Sequence, residues 1–296
     1  MKLTNEVNTR VLPVDFEYYE PKSLSEAISL LDKIPDAKIL AGGLDLLVWV
    51  KMGFVKPRAL INIKKIEELN KIQEKEAFVD VGSAVRVIQL QFSDVIKEKV
   101  PLLWKVAKSF SSVQVRTMTT VGGNICSASP ASDLATAALA IGANVEIFGP
   151  AGRRVIPLDE FYLGNRRTVL KHNEVLTKVS FKKRSEGEGF GYSRTARIYD
   201  DIAKVIVAVR LKLEDGKVSE ASVALGSVAP KVVRATSVER AIVGKRFTED
   251  LAKEASSLVV NDISPIDDIR STAEYRREVS KVLVRRALIE AWKEVA

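Results

Sequence analysis

The chain has 296 residues, 46 of them Lys or Arg and 38 Asp or Glu, giving a formal charge of +8, with one Cys and one His. That length accommodates two domains, and no run of 18 apolar residues offers a membrane span. Cys126 alone excludes an intrachain disulfide, and Cys126 with His172 is too few ligands for a structural zinc or an iron–sulfur cluster, so any redox metal belongs to another chain.

In chain order, Met1–Arg10 lacks the apolar core and cleavage site of a signal peptide, so cytoplasmic residence is expected. Ser23-x-x-Glu26 has the form of a capping box, and Leu24, Ala27, Ile28, Leu30 and Leu31 recur at helical spacing. Pro35 and Asp36 close that helix. Residues 37–41 read as a buried strand, Gly42-Gly43 as a turn and 45–52 as a helix, while 60–63 and 78–82 read as further strands. Helices are predicted over 87–96 and 102–110, with Pro101 at the break. Gly122-Gly123 forms a second glycine turn. Ser132-Asp133 suits the cap of an apolar helix over 134–141, and 145–148 resumes a strand before the turn Gly149-Pro150-Ala151-Gly152. After the polar link 184–189, alternation over 204–213, the Asp215-Gly216 hairpin turn and a returning strand over 218–225 predict a meander. Helices over 248–259 and 271–295 follow, the last reading as a surface-exposed amphipathic helix.

Basic residues are interspersed with acidic ones and aromatics make up 6% of the chain. This argues against a nucleic-acid surface and for a solvated face or an acidic partner subunit. The Lys, Glu and Arg content also fits a thermophile. The two glycine turns carry the functional signal: glycine takes positive φ and lets backbone N–H groups approach an anion, so paired turns suit the two phosphates of a dinucleotide. Neither turn has the Gly-x-Gly-x-x-Gly order of a Rossmann fold or the Lys-Ser/Thr of a P-loop, which points to another dinucleotide fold.

Ala41-Gly-Gly-Leu-Asp-Leu-Leu47, Thr119-Thr-Val-Gly-Gly-Asn-Ile-Cys-Ser-Ala-Ser-Pro-Ala-Ser-Asp-Leu134 and Asp200-Asp-Ile-Ala-Lys-Val205 resemble the FAD-binding medium subunit of the molybdenum hydroxylases. That family includes carbon monoxide dehydrogenase, bacterial and archaeal aldehyde oxidoreductases and the flavin domain of xanthine dehydrogenase. The resemblance runs from about Phe16 to the C-terminus and is nearest to an archaeal glyceraldehyde-type medium chain. It implies an α+β fold. A vanillyl-alcohol-oxidase (PCMH)-type FAD-binding domain would cover 1–182, with α/β subdomains of about 1–63 and 64–182. A C-terminal domain of carbon monoxide dehydrogenase flavoprotein type would cover 183–296, with a three-stranded antiparallel sheet and a helical bundle.

The same resemblance implies the site. Lys38, Ile39, Leu40, Ala41, Gly42, Gly43, Leu44, Asp45 and Leu46 would form the first FAD loop, with Thr120, Val121, Gly122, Gly123 and Asn124 as the second, their amides holding the pyrophosphate. Phe110 and Leu176 would flank the adenine, and Asp133 would bind the ribose hydroxyls. On residue type alone, Phe110 and Leu176 suit a core equally, and Asp133 a helix cap. Relatives often have Thr or His, then Ser, Asp or Glu, where Leu44 and Asp45 stand, a change that a backbone-mediated loop tolerates. Tyr192 would cover the flavin ring. Either Ser193 or Arg194 takes the place of a Lys found near the flavin in many relatives, Arg194 supplying positive charge toward the reduced, anionic flavin. His172 reads as a solvated loop residue, so noncovalent FAD is expected, and Cys126 reads as a small buried thiol.

No Ser-His-Asp or paired-carboxylate arrangement is found, so no catalytic residue and no metal ligand is assigned. The cysteine-rich insertion of hydroxybenzoyl-CoA reductases is absent. The implied role is electron transfer: FAD on this chain would take electrons from two [2Fe–2S] clusters on a small subunit and pass them to an external acceptor. A large subunit carrying a molybdopterin cofactor would hydroxylate the substrate, in heterotrimers that pair into a dimer. Aldehyde, as glyceraldehyde, leads as substrate; carbon monoxide or a purine or other N-heterocycle is the alternative. Two readings of other classes are a self-sufficient flavoprotein reductase, such as a UDP-N-acetylmuramate reductase, and a non-redox scaffold.

Overall fold

Ser23 opens the first helix, Leu24–Lys33, through its Oγ, which accepts from the Glu26 amide at 3.2 Å. Glu26 reaches back to the amide of Lys22 at 2.8 Å, one residue before the cap, so the predicted capping box is present but displaced by one. The computed structural model describes residue 12 and residues 14–296; the Met1–Arg10 segment read above lies outside them. The helix buries Leu24, Ala27, Ile28 and Leu31 with Ala59 and Ile61. Those two belong to the middle strand of a parallel three-stranded sheet, ordered Glu17–Tyr19, Ala59–Asn62, Lys38–Leu40. Parallel neighbours need crossover connections, which the helices here provide.

A second, antiparallel sheet runs in the order Ile72–Glu74, Phe78–Gly82, Val175–Lys182, Asn144–Gly149, Gly152–Pro157. The chain leaves it after Gly82 and returns at Asn144, and the helices in between cover one face. Val79, Val81, Val145, Val179 and Phe181 pack there against Leu103, Val106, Leu134 and Ala138. The helix expected over 87–96 is instead two, Val87–Gln91 and Asp94–Lys99. Ser93 breaks it by capping the second, its Oγ accepting from the Ile96 amide at 3.3 Å, and Phe92 at the joint is left 75% exposed. Pro101 opens the next helix, Pro101–Ser109, rather than merely separating two.

In this sheet Asp80 faces Ser180 across the strands. It accepts from Lys178 Nζ at 2.7 Å and Ser180 Oγ at 2.6 Å. Burial pushes its carboxyl up, but the bonds from Lys178 and Ser180 outweigh that, and its pKa lies below the ordinary value. A depressed carboxylate stabilises above its unfolded pKa and loses that contribution as pH falls through the folded one. Asp80→Asn is therefore expected to cost about 1 kcal/mol at pH 7 and progressively less below the usual carboxylate range. Urea unfolding of both proteins at pH 7 and pH 3 checks this.

The third sheet has four strands, Glu188–Thr195, Val205–Glu214, Lys217–Gly226 and Val233–Arg234, where three were expected. The fourth is two residues long, paired as Leu225 with Val233 and Ala224 with Arg234, too short to leave a periodic signal. Asp215 and Gly216 both take positive φ, 51° and 74°, as a tight hairpin turn between twisted strands requires. Alternation gives this sheet two buried faces. Val205, Val207, Val209 and Leu211 meet the terminal helix Ala273–Lys293 and the helices Thr236–Ile242 and Glu249–Ser257. Ala208 and Ala224 join the core that contains the helix Asp133–Ile141. The second contact brings the strand carrying Tyr192 and Arg194 against the first half of the molecule. No helix among the described residues is long and apolar enough to cross a membrane.

Candidate cofactor-binding site

Where the strand Lys38–Leu40 ends, Gly42 and Gly43 turn the chain, Gly43 with φ of 76°, into the short helix Leu46–Lys51. The Gly43 carbonyl accepts from Leu47 at 3.0 Å, while the amides of Gly42, Gly43, Leu44 and Asp45 donate to no protein acceptor among the described residues. Successive free N–H groups around a left-handed residue make an anion-binding concavity. A Cβ on Gly42 would fall on the carbonyl oxygen of Met118. The first turn is thus pressed against the approach to the second.

The second glycine turn is the start of a short helix, Val121–Cys126. Thr120 caps it, accepting from Gly123 N at 3.1 Å, and Asn124 N donates to Thr120 O at 3.0 Å. Val121 N and Gly122 N donate to Val85 O and Ser83 O, each at 2.8 Å. These four amides are already engaged within the chain. What this turn offers a ligand is therefore close approach over two residues without side chains, flanked by Thr120 and Asn124. A Cβ on Gly122 would lie 2.8 Å from Ser83 O. Ser132 Oγ donates to Asn124 Oδ1 at 2.5 Å and accepts from Ala135 N at 3.0 Å, tying the Asn124 side chain to the cap of the helix Asp133–Ile141.

Between the two turns lies a cleft of about 550 Å³. Of the residues expected at the cofactor, Lys38, Ile39, Ala41, Gly42, Gly43, Leu44, Asp45, Leu46, Phe110, Thr120, Gly122, Gly123, Asn124, Asp133, Leu176 and Arg194 line it. Leu40 and Val121 are buried in the packing behind their turns and do not. Tyr192 also does not line the cleft: its hydroxyl donates to Asp133 Oδ1 at 2.6 Å, which places the phenol behind that carboxylate instead of over the cleft. Between Ser193 and Arg194, it is Arg194 that reaches the cleft.

Asp133 follows the cap residue Ser132 and is not itself the cap. Burial pushes its carboxyl up, an effect that the Arg194 charge and the Tyr192 hydrogen bond only partly offset. Burial likewise raises Asp45 against the opposing Arg166 and Ser127. Cys126 lies on the cleft wall with partial exposure, rather than fully buried as expected, and desolvation pushes its thiol up to about 12, which keeps it protonated at neutral pH. His172 sits outside the cleft in an exposed turn, its Nε2 2.8 Å from Leu31 O. Among the described residues no cluster of His, Cys, Asp and Glu can hold a metal ion.

Several lining residues escaped the sequence reading. Trp49, on the short helix Leu46–Lys51 and under the Arg166 guanidinium at 4.8 Å, and Ser83, just after the strand Phe78–Gly82, belong to no motif that would signal them. Asp200, Asp201 and Ile202, which also line the cleft, carried a signal in the Asp-Asp-Ile-Ala sequence, although no contact was assigned to them.

Residues 14–181 match the family model described as the FAD binding domain in molybdopterin dehydrogenase, and residues 190–291 that of the CO dehydrogenase flavoprotein C-terminal domain. The carbon monoxide dehydrogenase medium chain of Hydrogenophaga pseudoflava is 34% identical over 97% of this chain and 100% of its own length. The glyceraldehyde dehydrogenase medium chain of Sulfolobus acidocaldarius is 32% identical over 96% and 99%. Among solved structures, a carbon monoxide dehydrogenase from Hydrogenophaga pseudoflava that lacks the Mo-pyranopterin moiety of its cofactor superposes with a TM-score of 0.94 at 36% identity, covering 97% of this chain and 100% of that one. Quinoline 2-oxidoreductase from Pseudomonas putida 86 gives 0.90 at 28% identity, covering 95% and 98%. The chain belongs to the FAD-binding medium subunits of the molybdenum hydroxylases.

Proposed function

We propose that the cleft between the two glycine turns holds FAD, and that the chain relays electrons between iron–sulfur clusters on a small partner subunit and an external acceptor. The four amides of Gly42–Asp45 that donate to no acceptor among the described residues, on a cleft also lined by Gly122 and Gly123, carry this reading. They supply donors for a pyrophosphate, while the glycines let the two turns pack closely, Gly42 on Met118 O and Gly122 on Ser83, which fixes the cleft between them. Phe110 and Leu176 give the adenine apolar cover. Asp133, fixed by Tyr192 and Arg194, presents its other oxygen to ribose hydroxyls. Bound FAD exchanges electrons singly or in pairs, and so matches one-electron clusters to a two-electron acceptor.

This chain's own residues bind, orient and shield. Substrate oxidation belongs to a large molybdopterin subunit, and two heterotrimers would pair into the full assembly. The relatives are named for carbon monoxide, glyceraldehyde, caffeine, nicotine and xanthine at similar identity. Glyceraldehyde is the first reductant to try, with carbon monoxide and purines next. Native purification followed by an absorption spectrum tests the reading. Flavin and iron–sulfur bands with two partner chains, bleached by one of these reductants, are expected. A lone yellow protein reduced directly by a nicotinamide would establish a self-sufficient reductase instead, and a chain that takes up no FAD would leave only the scaffold reading.

A further inference from the structure

The loop 196–204 joins the first two strands of the third sheet, yet it reaches across to the FAD-binding half of the molecule. Asp200, Asp201 and Ile202 line the cleft's mouth. From the opposite side, Ser111 Oγ donates to Asp200 O at 3.2 Å, and the Ser111 corner is itself held by Arg116, whose Nη1 donates to Phe110 O at 2.8 Å and Ser111 O at 2.5 Å. At the loop's base stands Arg194. Its two terminal nitrogens donate separately, Nη1 to Tyr199 O at 2.7 Å and Nη2 to Asp201 O at 2.6 Å. Its Nε lies 3.4 Å from Asp133 Oδ1, close enough for charge attraction but without a hydrogen bond.

We infer that Arg194 is the latch of a strap: it holds Tyr199–Asp201 across the mouth of the cofactor cleft and so sets how slowly FAD leaves. This rests on the proposal that FAD occupies the cleft. It adds to the expectation that Arg194 acts as a positive charge toward the flavin, since donating to two neutral loop carbonyls leaves the guanidinium its charge. The latch has the geometry that only a guanidinium offers. Two carbonyls two residues apart in sequence are bound by two rigid, coplanar N–H groups, whereas a Lys ammonium is a single point on a flexible stem. The loop's base is anchored, with Ala203 buried, its carbonyl accepting from Ser227 Oγ at 2.9 Å and Lys204 N donating to Thr195 O at 2.7 Å, but its tip, 198–202, has little else to hold it to the first half of the molecule. Ile198 and Tyr199 are each 62% exposed and Ile202 is 49% exposed, so burial of their side chains contributes little to keeping the strap closed. Apart from the Ser111 bond, Tyr199 adds only a long contact, its hydroxyl 3.5 Å from Lys108 O.

The test measures FAD release from the FAD-loaded protein, in its native complex where it co-purifies, by dilution and recovery of flavin fluorescence. Arg194→Met is expected to speed release about 10- to 100-fold, the loss of two charge-assisted hydrogen bonds, while the melting temperature of the FAD-free protein moves by less than about 3 °C. Arg194→Lys should not restore slow release. Ser111→Ala, which loosens the other end, should speed release by itself. Combined with Arg194→Met, it should add less than the product of the two effects, since both act on one strap. Unchanged release in Arg194→Met, or full rescue by Lys, would overturn the latch, the second outcome returning Arg194 to a role as charge alone. If the wild-type protein takes up no FAD, the proposed cofactor site itself fails, and that result is distinct because it appears before any variant is made.

Discussion

Gly42→Ala is expected to weaken FAD binding by at least about 100-fold, roughly 2.7 kcal/mol, while leaving most of the protein's stability in place. The added methyl has nowhere to go. Its carbon would fall on the Met118 carbonyl oxygen, with Met118 C 3.2 Å and Thr119 Cα 3.4 Å away, all of them backbone atoms that no rotamer change can move. The turn must then swing away from the segment 118–119, which leads directly into Thr120 and the second glycine turn. Two things would change together: the positions of the four amides of Gly42–Asp45 proposed to hold the pyrophosphate, and the width of the cleft between the turns. Charge-assisted bonds from amides to phosphate oxygens depend steeply on distance, so a displacement of about 1 Å suffices. Residues 41–46 are partly or largely exposed, and of them only Ala41 packs against a core, which is why the global unfolding free energy should fall by only about 1–2 kcal/mol. Titration of the FAD-free protein with FAD, followed by flavin fluorescence, together with a thermal melt, separates the two effects. Wild-type affinity in the variant would remove the first glycine turn from the site.

Much of the fold was legible because local and tertiary preferences agree. The stripe of Leu24, Ala27, Ile28 and Leu31 is the buried face of its helix, and Asp215-Gly216 is the hairpin turn its composition suggests. The failures share a cause. Val121-Gly-Gly-Asn124 has poor helix propensity, yet it forms a helical turn because Ser83 O and Val85 O, some 37 residues earlier, accept its first amides and Thr120 caps it. Phe92 interrupts an apolar helical pattern because Ser93 prefers to cap, and periodicity does not report a capping choice. At the site, the glycine turns were visible as sequence. Tyr192, placed over the flavin by the resemblance, instead gives its hydroxyl to Asp133, a long-range contact that residue type does not report. The strap's bonds to Arg194 are made through backbone carbonyls, which leave no trace in residue type.

Gly191→Val should have the largest effect on stability, a loss of at least about 4 kcal/mol, and the reason lies at the sheet edge. Glu188–Thr195 is the edge strand of the third sheet, and its outward amides at Phe190 and Tyr192 would otherwise be open to pairing with another chain. The terminal helix closes that edge. Glu294 accepts from Phe190 N at 3.0 Å and Glu290 from Tyr192 N at 2.9 Å, and Lys105 Nζ binds both carboxylates at 2.7 Å and the Phe190 carbonyl at 2.8 Å. Side chains can cover backbone in this way only if the helix lies almost on the strand. Gly191 permits it, since a Cβ there would fall on the Ala287 carbonyl oxygen, with Ala287 C at 2.7 Å and Cα at 2.9 Å. A valine must push the helix outward, which lifts Leu283, Val284, Ala287 and Leu288 from the sheet and breaks both glutamate–amide bonds. Because strand 188–195 also carries Arg194, FAD would be lost as well, but only in proportion to unfolding. Urea unfolding alongside FAD titration therefore distinguishes the two glycines: Gly42→Ala loses cofactor while staying folded, and Gly191→Val loses cofactor because the fold beneath the strap is gone. A Gly191→Val protein that melts like the wild type would mean that the helix does not close this edge.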